Sequence, residues 1–124
     1  MTLILIVEDN EKNLKLVRDV LRVKGYATIE ATNAEDGIAL ANARKPDLIL
    51  MDIQLPGMNG IEALRVLRAD SATAGIPAIA VTASVMQQDR NLITDAGFDG
   101  YVGKPINLKE FLDTVSTTLE RRKP

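Results

Sequence analysis

Five apolar runs of strand length alternate with helical patterns along the chain, at about 3–8, 27–31, 47–52, 77–83 and 99–103. Three of them leave no polar face. Leu3-Ile4-Leu5-Ile6-Val7, Leu48-Ile49-Leu50-Met51 and Ala78-Ile79-Ala80-Val81 are apolar at every position. A strand of that kind must be buried on both sides, which requires a parallel sheet between two helical layers. The second and fifth runs are mixed, as edge strands are. The predicted fold is α/β, a three-layer (βα)5 sandwich whose commonest strand order is 2-1-3-4-5.

The helix ends are legible. Thr32-Asn33-Ala34-Glu35 has capping-box spacing, with Thr32 as the cap and Glu35 reaching back. Ser84-Val85-Met86-Gln87 repeats it, and Asn59–Glu62 and Asn107–Glu110 are variants of it. Gly25 and Gly97 stand where a left-handed C-terminal cap is wanted, and Pro46 stops the second helix. In the last helix Leu108, Phe111, Leu112, Val115 and Leu119 form one stripe; in the first, Leu16, Val17 and Val20 do, with Leu14 off it. The basic end, Arg121-Arg122-Lys123, suits the negative pole of a helix dipole.

Two of the central strands run into acids: Val7 is followed by Glu8-Asp9, and Met51 by Asp52. Ligands of open parallel sheets bind beyond the carboxyl ends of the strands, where the strand order reverses. For order 2-1-3-4-5 that point lies between the first and third strands, so three carboxylates converge there. Two like charges about 4 Å apart cost about 4 kcal/mol at an effective dielectric near 20. A cation relieves that cost. Oxygen-only ligands point to a hard ion, Mg²⁺ or else Mn²⁺ or Ca²⁺. Thr82 ends the fourth strand, and Lys104-Pro105 follows the fifth. A hydroxyl and an ammonium beside a metal-binding acid cluster fit a phosphoryl group.

Composition removes several alternatives. The chain contains no histidine and no cysteine, which excludes imidazole catalysis, thiol chemistry and disulfides within it. A net charge of −2 argues against nucleic acid as a partner. No apolar run approaches the ~18 residues of a membrane span, and no signal peptide is evident. The expected location is the cytoplasm. A length of 124 residues is that of one domain, 1–124, with no output domain expected after the last helix. An FMN site would need a Ser/Thr/Gly-rich loop where Glu8-Asp9-Asn10-Glu11 stands, and a dinucleotide site a G-x-G-x-x-G motif that is absent.

The set Glu8-Asp9, Asp52, Thr82-Ala83 and Lys104-Pro105 resembles the receiver domain of two-component response regulators. DIQLPGMNG (52–60), VTA (81–83) and KP (104–105) all fall at the family's strand ends, in order. LILIVEDNEKN and LILMDIQLP are most similar to single-domain regulators of the bacterial cell-cycle type. The resemblance implies a flavodoxin-like, CheY-like fold. It implies a bacterial phosphoprotein that is not an enzyme, beyond self-phosphorylation from small donors and auto-dephosphorylation.

By the same resemblance Asp52 accepts a phosphoryl group from a partner's phosphohistidine. Asp9, Asp52 and the Gln54 carbonyl bind Mg²⁺, with Glu8 acting through a metal-bound water. Thr82, the Ala83 amide and Lys104 hold the phosphoryl oxygens, and the bond to Pro105 is cis. Thr82 and Tyr101 form the switch, with output through the fourth helix, fifth strand and fifth helix. Gly103 departs from the Ser, Thr or Ala common there, and Gln54 and Ser84 tune phosphate lifetime.

The implied partners are a sensor histidine kinase or phosphotransfer protein, contacted through Leu14 and Ile106, and a downstream protein. The chain is expected to be a monomer or weak dimer. Three alternatives remain at this stage: a receiver domain from a hybrid histidine kinase, a Mg²⁺-dependent aspartyl-phosphate phosphatase, and a phosphate-independent interaction module.

Overall fold

The computed structural model describes residues 1–83 and 87–121, with the backbone alone at 87–89. Five strands alternate with five helices: β1 (Leu3–Val7), α1 (Glu11–Val23), β2 (Ala27–Ala31), α2 (Ala34–Arg44), β3 (Leu48–Asp52), α3 (Gly60–Ala69), β4 (Ala78–Thr82), α4 (Gln87–Ala96), β5 (Gly100–Gly103) and α5 (Leu108–Arg121). The sheet is parallel throughout, in the order β2-β1-β3-β4-β5. The predicted strands agree with these within a residue at each end.

Alternation along the strands divides the core in two. Leu5, Val7, Ile49, Met51, Ala78 and Ala80 face one layer, where they meet Ala34 and Ala41 of α2, Leu64 and Leu67 of α3, and Ile93 and Ala96 of α4. Ile4, Ile6, Leu48, Leu50, Ile79 and Val102 face the other, against Leu14, Val17 and Leu21 of α1 and Phe111 and Val115 of α5. Each fully buried Leu or Ile contributes about 1.5–3 kcal/mol. The double-faced burial of β1, β3 and β4 is what their unbroken apolar sequence requires.

The helix ends largely follow expectation. Asn59 caps α3 in a complete capping box with Glu62. Asn107 accepts from the Glu110 amide ahead of α5. Gly25 and Gly97 have φ of 91° and 107°, the left-handed region that favours glycine.

Three details differ. The cap of α2 is Asn33, accepting from Asp36 N–H at 2.8 Å, so the cap sits one residue later than Thr32. In α1 the buried stripe is Leu14, Val17 and Leu21, while Leu16 is 38% exposed. In α5 Leu108 is exposed and Thr118 joins the buried face. The Ser84 cap lies outside the described residues, as do Arg122 and Lys123.

The amino end of the sheet is tied by one side chain. Arg68, near the end of α3, donates to the carbonyls of Ala74, Ile76 and Gly97 and pairs with Asp99 at 3.4 Å. Asp99 also accepts from the Ala78 amide at 2.9 Å. The loops before β4 and β5 are thereby fixed to α3.

Candidate functional site

At the carboxyl end, the register brings the site together. Val7 lies beside Met51, so Glu8 and Asp9 leave β1 next to Asp52, the last residue of β3. Asp52 pairs with Val81, and Thr82 with Gly103, which places Thr82 and Lys104 on the other flank. The Lys104 amide donates to the Thr82 carbonyl at 2.8 Å, extending the ladder one step beyond β5. The Lys104-Pro105 bond is cis, as expected.

Each Asp52 oxygen has its own donor: Oδ1 accepts from the Gln54 amide at 2.9 Å, and Oδ2 from Lys104 Nζ at 2.9 Å. The same ammonium lies 3.2 Å from Glu8 Oε1. Glu8 Oε2 accepts from the Asn10 amide at 3.2 Å. Glu8 and Asp52 are only 4% and 2% exposed, whereas Asp9 stands open at the mouth. One carboxylate oxygen from each of the three acids lies within 4.8 Å of the others. An all-oxygen set of that size suits a hard divalent cation.

The crowding appears in the proton affinities. Burial, then the hydrogen bond and charge of Asp52, push Glu8 up to about 7. Burial alone would also raise Asp52, but donation from Glu8, Lys104 and the Gln54 amide outweighs it and holds Asp52 below the usual carboxylate range. Burial disfavours the Lys104 ammonium, yet Asp52 and Glu8 together raise its proton affinity. The acids therefore resolve their repulsion unequally: Asp52 favours its charged form, and Glu8 holds a proton up to about neutral pH. Asp52 is the charged, hydrogen-bonded oxygen pair at the floor of the site.

The remaining predicted residues are placed as follows. Thr82 is buried and Ala83 exposed at the rim. Gln54 is exposed, and its amide serves the Asp52 carboxylate. Tyr101 is turned outward, 37% exposed, with the Arg90 guanidinium carbon 5.5 Å from its ring centroid. Ile106 is half-buried against the α1/α5 core layer. Leu14 is a core residue, 9% exposed, because α1 is rotated relative to the predicted stripe; its burial removes the reason for assigning it to a partner contact.

Sequence reasoning missed Gly60. A Cβ there would stand 2.4 Å from the Asp52 carbonyl oxygen and 2.9 Å from Ile53 Cα, so only glycine lets the first turn of α3 close on the end of β3. Its amide donates to the Ile53 carbonyl at 3.0 Å. The Asn59-Gly60 pair was legible as a cap, but the close approach needed coordinates.

Known proteins share both the fold and the sequence. The model of the response regulator receiver domain matches residues 4–116. The polar-differentiation response regulator DivK of Brucella anthropi is 44% identical over 116 residues, which are 94% of each protein. Among solved structures, the receiver domain of the sensor histidine kinase PA1611 from Pseudomonas aeruginosa PAO1, with a magnesium ion coordinated in its active-site cleft, has a TM-score of 0.88 at 32% identity, covering 96% of this chain and 98% of that one. A CheY-like receiver domain protein from Methanospirillum hungatei JF-1 has a TM-score of 0.90 at 30% identity, covering 98% and 96%. A parallel sheet in this order, an acid cluster at its switch point and likeness along almost the whole chain agree, and the chain belongs to the response regulator receiver domain family.

Proposed function

We propose that Asp52 accepts a phosphoryl group from a phosphohistidine of a sensor kinase or phosphotransfer protein, in a Mg²⁺-dependent reaction. The observation that carries this reading is Asp52 itself, buried, held at both oxygens and kept charged beside Glu8 and Asp9. An Asp52 oxygen attacks phosphorus, the P–N bond to the donor imidazole breaks, and that imidazole takes up a proton. The product is an acyl phosphate on Asp52. Such a transfer needs positioning and charge neutralisation more than covalent help.

Asp9 and Asp52, with the Gln54 carbonyl, would hold Mg²⁺ (or Mn²⁺), and Glu8 would act through a metal-bound water. When bound, the ion supplies positive charge to the phosphoryl oxygens. Lys104 supplies a second positive charge by leaving its ion pair with Asp52 Oδ2 for the phosphoryl group. Thr82 and the Ala83 amide take the other oxygens. The absence of histidine from this chain agrees with a donor on another protein.

The phosphorylated state then signals through α4, β5 and α5, with Thr82 and Tyr101 linking the site to that surface and Ile106 meeting the donor protein. Likeness to DivK along 94% of that relative supports a single receiver domain, 1–124, acting in a cell-cycle or developmental phosphorelay in the cytoplasm. Likeness to the PA1611 receiver domain supports a second reading, as the receiver part of a hybrid kinase. Among the described residues no helix is long and apolar enough to cross a membrane.

The test is intact mass after incubation with Mg²⁺ and acetyl phosphate, beside Asp52→Asn. One added phosphoryl group, blocked by EDTA and absent from the variant, is the expected result. No gain from acetyl phosphate or from a phosphorylated kinase would refute the reading and favour a phosphate-independent module. Sustained turnover of a phosphate ester would favour a phosphatase.

A further inference from the structure

We infer that Arg90 is a positioning residue for Tyr101, holding its ring at the surface and so opposing the switch until phosphorylation. The inference rests on the phosphoacceptor reading above and adds to it a residue outside the phosphoryl site.

Tyr101 and Gly103 are two apart on β5 and therefore project to the same face of the sheet. The register sets Tyr101 beside Ala80 and Gly103 beside Thr82. Ala80 belongs to the core layer that faces α4, so Tyr101 and Thr82 lie on that face too. Between the ring and the Thr82 side chain, the strands carry only a methyl group at Ala80 and no side chain at Gly103. Small neighbours on that path leave the ring little to displace if it turns toward Thr82.

What opposes the turn is on the other side. The Arg90 guanidinium carbon lies 5.5 Å from the centroid of the outward ring, within cation–π range. Both residues are exposed. Turning the ring inward gives up that contact, so Arg90 stabilises the outward state alone. A contact made in one state only shifts the balance between two states. At an exposed site it is worth a change of roughly two- to fivefold in the outward-to-inward ratio. α4 thus carries its own restraint on the strand beside it.

The chain has two tyrosines, so 3-fluorotyrosine labelling yields two ¹⁹F signals, and Tyr101→Phe identifies the one from residue 101. The comparison is between the unphosphorylated full chain and Arg90→Met, which keeps a long unbranched side chain and removes the charge. The Tyr101 signal is expected to move toward its position in the acetyl phosphate-treated protein. Phosphorylation by acetyl phosphate is expected to quicken roughly two- to fivefold. Arg90→Lys, which keeps a cation, should recover part of both effects.

In a Tyr101→Leu background, Arg90→Met should no longer change the rate. An unmoved Tyr101 signal in folded Arg90→Met protein would overturn the inference. So would an equal rate gain in the Tyr101→Leu background, which would assign the effect to charge steering of the donor. If the wild-type chain takes no phosphoryl group, the phosphoacceptor reading fails, and the signal of the unphosphorylated proteins still decides whether Arg90 holds the ring.

Discussion

Lys104 and Asp52, 52 positions apart in the chain, meet at 2.9 Å at the carboxyl end of the sheet, and the same ammonium reaches Glu8 at 3.2 Å. One ammonium therefore lies against two buried acid side chains and holds one of the two Asp52 oxygens.

Replacing Lys104 separates its two effects. In Lys104→Met the acid cluster loses its internal counter-charge, so Mg²⁺ should bind roughly tenfold more tightly, since a unit charge about 4 Å away is worth on the order of 1 kcal/mol even in water. Phosphorylation should nevertheless slow by at least about tenfold, because the phosphoryl oxygens lose an ammonium. Mg²⁺ titration by thermal shift and acetyl phosphate kinetics measure the two. Weaker Mg²⁺ binding would mean that Lys104 organises the acids rather than competing with a metal for them.

Glu8 makes stability pH-dependent without metal. Its folded value of about 7 exceeds the ordinary 4.5, so between those pH values the folded state keeps a proton that the unfolded chain releases. Stability should fall as pH rises through that window, by at most about 3 kcal/mol. Asp52 behaves oppositely and elsewhere: its folded value lies below 3.8, so its contribution is present above that pH and is lost in stronger acid. Melting in EDTA at pH 5 and pH 7.5 should show the fall, and Glu8→Gln should flatten it. A Glu8→Gln protein with an undiminished slope would place the titration in another group.

Above pH 7 in EDTA, where Glu8 is ionised and no longer donates to Asp52, Asp52→Asn should raise the melting temperature by a few degrees. One charge leaves a cluster of three acids, the amide oxygen still accepts from Lys104 or Gln54, and Glu8 keeps the ammonium as its partner. A lower melting temperature with the fold intact would show that the Lys104–Asp52 pair outweighs repulsion among the acids.

Gly60→Ala should destabilise by about 1–3 kcal/mol, the usual range for forcing extra volume into a packed site. The added methyl must move backbone at Asp52 and Ile53, so phosphorylation should slow as well. Gly37→Ala is the control. Its Cβ would meet the Val7 side chain at 2.8 Å, a neighbour of the site that does not carry Asp52. It should lose stability with a smaller effect on phosphorylation, as chemical denaturation and kinetics on the two variants would show.

Arg68→Met should cost about 2–4 kcal/mol, because three carbonyls lose a charged donor and Asp99 loses the guanidinium beside it in a half-buried setting. The acid cluster is at the other end of the strands, so Mg²⁺ binding by the folded protein should be unchanged. A Mg²⁺ affinity that fell with stability would mean that the amino-end tie reaches across the sheet.

Much of this arrangement was legible because it follows from periodicity and strand order. β1, β3 and β4 had to be central, since their runs up to Val7, Met51 and Val81 are apolar throughout, and that placed Glu8, Asp9 and Asp52 together. The errors came from patterns that fit twice. Thr32-Glu35 and Asn33-Asp36 both have cap spacing, and only the backbone decides between them. In α1 the set Leu14, Val17 and Leu21 is as regular as the one through Leu16, and a one-residue difference rotates the helix face. The Gly60 approach, the Arg68 tie and the Arg90–Tyr101 contact join segments by tertiary geometry alone, which no spacing rule contains.

The thinness of the α4 layer has its own consequence. Among the described side chains of α4 only Ile93 and Ala96 are buried, against the alanines of β4, whereas α1 buries Leu14, Val17 and Leu21 and α5 buries Phe111 and Val115. A helix held by so little apolar area opens at a lower free energy than the whole fold. Its amides should exchange with deuterium ahead of those of α1 and α5. Early opening of the element beside the fifth strand should leave the β1–β3 centre, with the acids at its end, protected.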